Sequence, residues 1–122
     1  MGCKSFRDRW LAAERALLND LKILDKWEAN HIEGRHFRID YPGCKALDHE
    51  GLFLIYRYAR ETNKMELEFQ RSIDCLSQSC RSQGLPALPS VSYDEFAREI
   101  EMREHKIDVR WKTNDFIAPN NR

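Results

Sequence analysis

The sequence predicts a mainly α fold, a small four-helix domain with a long N-terminal amphipathic helix, and three observations predict it. Leucine outnumbers valine twelve to two, and unbranched or γ-branched side chains lose little rotamer freedom in helices, whereas the β-branched set suits strands. Apolar residues recur at three- and four-residue intervals over several separate stretches. Helix-start spacings, a Ser or Asn followed three residues later by an acid, sit ahead of three of those stretches. The 122 residues amount to one domain, 1–122. Its core is lean, because Leu, Ile, Val and Phe together make up 28 of the 122 residues, little above the ~20% below which chains stay disordered.

The first helix is expected from Ser5 to about Asn30. Ser5 with Asp8 has N-cap spacing, and Phe6, Trp10, Ala13, Leu17, Leu21 and Leu24 follow on one stripe. Leu11 and Leu18 lie on one shoulder of that stripe and Trp27 on the other, so the apolar arc is wide. At 1.5 Å per residue such a helix is about 39 Å long, more than a compact domain of this size covers along its whole length.

Residues 31–47 interrupt the helical period. Phe37, Ile39 and Tyr41 alternate with Arg38 and Asp40 as in a half-buried strand, and Pro42-Gly43 reads as a turn. The alternation returns in Ile107, Val109 and Trp111, which adds a short two-stranded β-ribbon to the expectation as an option. Asp48 is the expected N-cap of a second helix reaching about Thr62. Its Leu52, Phe53, Leu54, Ile55, Tyr56, Tyr58 and Ala59 cover most of the circumference and place it centrally. Leu52 to Tyr58 also fits a strand, but Arg57, Arg60 and Glu61 extend the pattern past strand length, which favours the helix.

Asn63 with Glu66 opens a third helix carrying Met65, Phe69, Ile73, Leu76 and Cys80, and Gly84 ends it in the left-handed C′ position ahead of Pro86 and Pro89. Ser92 with Glu95 opens a fourth helix to about His105, with Phe96 and Ile100 on a thin apolar edge. The tail from about 114 is expected to fray.

Charge balance argues against a protein that coats duplex nucleic acid or an anionic membrane and leaves room only for a local basic patch. Twenty Lys and Arg against twenty Asp and Glu leave no excess of cations to neutralise duplex nucleic acid or an anionic membrane. No run of about 18 apolar residues and no apolar signal core occurs, so the expected location is cytoplasmic. Met1-Gly2-Cys3-Lys4-Ser5-Phe6 departs from the myristoylation motif at Phe6, where Ser or Thr is needed. Cys3, Cys44, Cys75 and Cys80 are expected as reduced thiols.

No catalytic signature is present: no phosphate-cradling glycine loop, no dinucleotide fingerprint and no nucleophile elbow. No enzyme and no cofactor are therefore expected. His31, His36, Cys44 and His49 fall within nineteen residues and are all competent zinc ligands, but no Cys-x2-4-Cys pair accompanies them, so no metal is assigned. Cys44, beside Lys45 and near His49, is the one candidate for an activated thiol.

The positive expectation is a binding role. A lean core has little material to cover a wide apolar arc, which points to Leu11, Leu18 and Trp27 as partner-binding residues, in a non-enzymatic protein-binding regulator or adaptor that self-associates into a homo-oligomer. The alternative is a nucleic-acid-binding regulator using Arg35, Arg38, Arg57 and Arg60 beside the aromatics of residues 35–41. From Asp94 to Glu104 the chain carries a local charge of -3, which suits either an internal screen or a cationic partner.

Overall fold

The computed structural model describes residues 6–34 and 38–112, the side chains of Phe6 and of 105–112 excepted. It is mainly helical: α1 Phe6–Ala29, α2 Tyr41–Tyr58, α3 Thr62–Ser82 and α4 Tyr93–Lys112. The chain falls into two compact units, Met1–Pro89 and Ser90–Arg122.

In the first unit α2 is the central helix. It buries Tyr41, Ala46, Asp48, Glu50, Leu52, Phe53, Leu54 and Tyr56 around most of its circumference, as the crowded apolar run requires. The Phe53 ring meets Phe69 of α3 at 5.9 Å between centroids. On the other side α1 runs antiparallel to α2, since the contacts proceed in opposite directions along the two. Trp10 donates its indole N–H to the Ile55 carbonyl at 3.2 Å, and Lys45 reaches back to Glu28 at 2.6 Å. Between them Leu17 lies over Gly51, where a Cβ would come within 2.9 Å of the Leu17 Cδ1. Gly51 is thus a matter of close approach, not of backbone freedom.

The second helix starts seven residues before the expected Asp48. Asp40 is its N-cap, its Oδ1 accepting from the Gly43 N–H at 3.1 Å. Pro42-Gly43, expected as a turn, forms the first helical turn instead, because proline there forfeits only an N–H that has no intrahelical partner. A Cβ on residue 43 would strike the Asp40 carboxylate at 2.2 Å, so the cap needs glycine. The other Asp40 oxygen accepts from Ser79 at 2.6 Å and Gln83 at 3.3 Å, tying the start of α2 to the end of α3. Asp48 is therefore a helix-interior residue. The third helix also begins slightly early, at Thr62 after an N-cap Glu61 that makes no side-chain capping bond.

Three helices end in the same device. After α1, His31 donates to the Glu28 carbonyl at 3.0 Å and Ile32 to the Trp27 carbonyl at 3.0 Å, the paired bonds of a Schellman motif. The same two bonds recur at Arg60 and Glu61, and at Gly84 and Leu85. The left-handed residues are His31 (φ 55), Arg60 (φ 59) and Gly84 (φ 70). Glycine thus serves at one of the three, and a side chain in that conformation costs about 1 kcal/mol. His31→Gly should raise stability by about 0.5–1 kcal/mol in urea unfolding, the larger unfolded entropy of glycine limiting the gain. His31→Ala, which keeps a Cβ, should give none of it.

The second unit contains α4. Its start is as expected, with the Glu95 N–H donating to the Ser92 hydroxyl at 3.1 Å. Phe96, Ala97 and Ile100 are the least exposed of its described side chains. It continues to Lys112, so Ile107, Val109 and Trp111 are helical and the optional ribbon is absent: no strand occurs among the described residues. A five-residue alternation is too short to outweigh an established helix that propagates at the gain of one bond per residue. The tail beyond Lys112, and Cys3 and Ser5 at the other end, lie outside the described residues.

Candidate functional site

Two features of the first unit are candidates: the outer surface of α1 and the polar seams that hold α1 and α3 to α2.

Although α1 has 24 residues, Leu24 is its one buried apolar residue among those described. Trp10, Leu11, Leu17 and Leu21 are half-buried. Leu18 is 42% exposed, Ile23 38% and Trp27 46%. Scattered exposed apolar residues are ordinary on any protein, but these are ordered. Ile23 and Trp27 stand four residues apart and so form one patch. Leu11 and Leu18 stand seven apart and flank a shallow hollow of about 300 Å3 completed by Glu14, Arg15, Asn19 and Lys22. At ~100° per residue Leu18 and Trp27 point about 180° apart. The three predicted partner-binding residues therefore occupy two shoulders rather than one surface.

The seams run along α2. On its face between α1 and α3, Lys45, His49, Leu52 and Tyr56 follow at four-, three- and four-residue steps, and each polar member is engaged. Lys45 binds Asp25 at 2.7 Å and Glu28 at 2.6 Å. Burial disfavours its ammonium, yet the bonds from these two carboxylates outweigh burial and raise its pKa above the usual lysine value. Tyr56 donates to Glu14 at 2.6 Å. His49 meets Glu68 through Nδ1 at 3.1 Å, and Arg71 bonds the same carboxylate at 3.0 Å. Burial favours the protonated Glu68, but the bonds from His49 and Arg71 prevail and hold its carboxyl below the usual range.

About 100° around α2 from His49, Asp48 is only 8% exposed and its Oδ2 has no partner, with the exposed Asp20 of α1 as the neighbouring acid. Burial, then the influence of Asp20, push its pKa up to about 7. The seam was invisible to sequence reasoning because Asp20 and Asp48 are brought near only by the antiparallel register of α1 on α2. The one local signal was an acid directly after Ala46 and Leu47 on a helix expected to be central.

The other candidates are dispersed. His31 caps α1, His49 faces α3, and His36 lies outside the described residues. Among the described residues no group of three or more His, Cys, Asp or Glu is placed to hold a metal ion. Cys44 is the opposite of an activated thiol: burial, then Asp40, Asp48 and Asp20, push its pKa up, and the adjacent Lys45 is spent on α1. Cys44, Cys75 and Cys80 are free thiols. A hollow of about 630 Å3 lies beside the α1–α2 connection. Its hydroxyls are committed, Tyr41 to the Ile32 carbonyl and Ser82 to the Ser79 carbonyl, which leaves no nucleophile paired with a base there.

Of the basic residues, Arg35 lies outside the described residues and Arg38 precedes α2, whereas Arg57 and Arg60 stand at its far end. The 18 residues of α2 span about 27 Å, so Arg38 does not make one patch with Arg57 and Arg60. No helix among the described residues is long and apolar enough to cross a membrane.

The helices define a small all-α protein whose longest helix keeps large apolar side chains in solvent. Comparison with protein-family models, curated proteins and solved structures finds no match to this chain.

Proposed function

We propose that this chain is a non-enzymatic protein-binding regulator or adaptor of the cytoplasm that acts through α1 and self-associates into a homo-oligomer. The observation that carries the reading is the exposure of Leu18, Ile23 and Trp27 on a helix that, among its described residues, buries only Leu24. Burying such side chains yields roughly 1.5–3 kcal/mol each, a gain that a partner's surface would supply. Two shoulders on opposite sides of one helix suit an assembly in which each copy meets neighbours on both sides. The free thiols of Cys44, Cys75 and Cys80 suit a reducing compartment.

Light scattering on the purified chain tests the reading. An oligomer is expected, and Leu18→Glu should dissociate it without lowering the helical content, because the side chain lies outside the core. A monomer at all accessible concentrations would remove self-association.

A further inference from the structure

On the reading that copies of this chain self-associate, we propose that the shoulder of α1 bearing Leu11 and Leu18 receives the acidic outer face of α4 from a second copy, so that unlike surfaces join copy to copy.

The shoulder combines apolar ends with free positive charge. Leu11 and Leu18 flank a hollow of about 300 Å3 that Glu14, Arg15, Asn19 and Lys22 complete, and their seven-residue spacing is about 10.5 Å at 1.5 Å per residue. Of the charges there, Glu14 accepts from the Tyr56 hydroxyl at 2.6 Å. Arg15 and Lys22 are exposed and make no ion pair among the described residues.

The complement lies on α4. Phe96, Ala97 and Ile100 mark its covered face. On the outer face Glu95, Glu99 and Met102 follow at steps of four and three residues, so they share one stripe. Met102 is 53% exposed. Glu95 and Glu99 are exposed and, like Arg15 and Lys22, make no ion pair among the described residues. Even with Arg98 and Arg103 counted, the stretch from Asp94 to Glu104 carries -3.

The spacings of the two stripes agree in one direction. Laid antiparallel on α1 with Met102 over the hollow, midway between Leu11 and Leu18, α4 sets Glu99 about 4.5 Å further along, between Arg15 and Lys22, and Glu95 about 10.5 Å along, level with Lys22. In the reverse direction Glu99 falls level with Leu11 instead. An unbranched methionine adapts to an irregular hollow, and its burial with Leu11 and Leu18 supplies the attraction, while the charge pairs fix register and partner. Because the two surfaces differ, each copy offers one of each, and the contact repeats until a reciprocal pair or a ring closes.

Charge reversal on the full chain, read by light scattering at about 50 mM salt, tests this. Arg15→Glu with Lys22→Glu makes the shoulder acidic, and Glu95→Lys with Glu99→Lys makes α4 basic. All four positions are exposed, and the Ser92 cap uses the backbone N–H of residue 95, so circular dichroism should show unchanged helix. Each double variant alone should associate about tenfold or more weakly than the parent, because like charges then face each other. Mixed one to one, the two variants should associate again: the acidic shoulder of one meets the basic α4 of the other, and the second contact keeps its native charges. A parent oligomer that persists in the α4 variant, or a mixture that stays apart, would overturn the α1 to α4 contact and leave self-association through other surfaces standing. A monomeric parent would remove both.

Discussion

Phe53→Ala should lower the melting temperature by about 10–20 °C, a loss on the order of 3–5 kcal/mol, the range found for truncating a fully buried aromatic ring. Phe53 is wholly buried and meets the Phe69 ring of α3, so the truncation opens a cavity where α2 and α3 are joined. A net stability of roughly 5–15 kcal/mol is normal for a single domain, and a chain this lean in large apolar residues sits toward the lower end. The change therefore removes a large share of the total. Phe69→Ala should cost less, since that ring is only half-buried and its site can relax toward solvent. Thermal unfolding followed by circular dichroism measures both. A Phe53→Ala loss below about 1 kcal/mol would mean that the α2–α3 contact is not the packed core its burial implies.

How far the sequence discloses this molecule depends on the range of the signal. Four helices were legible because apolar periodicity and end signals are local. Ser92 caps α4 and Gly84 ends α3 in the left-handed conformation, both at the predicted positions. The start of α2 was hidden because Pro42-Gly43 is a turn pair in most settings and a tolerated first turn only when Asp40 stands ahead of it. The end of α1 falls within a residue of the expected Asn30, whereas that of α2 comes four residues before the expected Thr62, since Arg60 occupies the place where glycine would have announced it. The shoulders of α1 could be read from a helical wheel, whereas the influence of Asp20 on the buried Asp48 could not, because two acids 28 residues apart in sequence are brought near only by tertiary register. His49 illustrates the same limit: its proximity in sequence to Cys44 suggested a ligand cluster, and its partner is Glu68 on another helix.

The stability of the chain should vary with pH in two opposed ways, each assignable to one residue. The folded state holds the Glu68 carboxyl below its usual range through His49 and Arg71. Its contribution is therefore present above the unfolded value of 4.5 and is lost as pH falls through the folded one. Asp48 works in the other direction. Its pKa rises from 3.8 unfolded to about 7 folded, so the folded state binds the proton more tightly and stability declines as pH rises between those two values, then levels off. A displacement of that size corresponds to about 4 kcal/mol at 1.36 kcal/mol per unit, or on the order of 2 kcal/mol when water at the rim of the interface screens the pair. Stability should accordingly peak in mildly acidic solution and fall toward neutrality. Urea unfolding across pH separates the two limbs. Asp48→Asn should be more stable than the parent by about 2 kcal/mol above neutral pH, with the gain shrinking toward zero near the unfolded aspartate value, because a neutral amide replaces the neutral acid there. Glu68→Gln should leave the alkaline limb intact and flatten the acid one. If Asp48→Asn were destabilising at every pH, the decline toward neutrality would have to originate in another group.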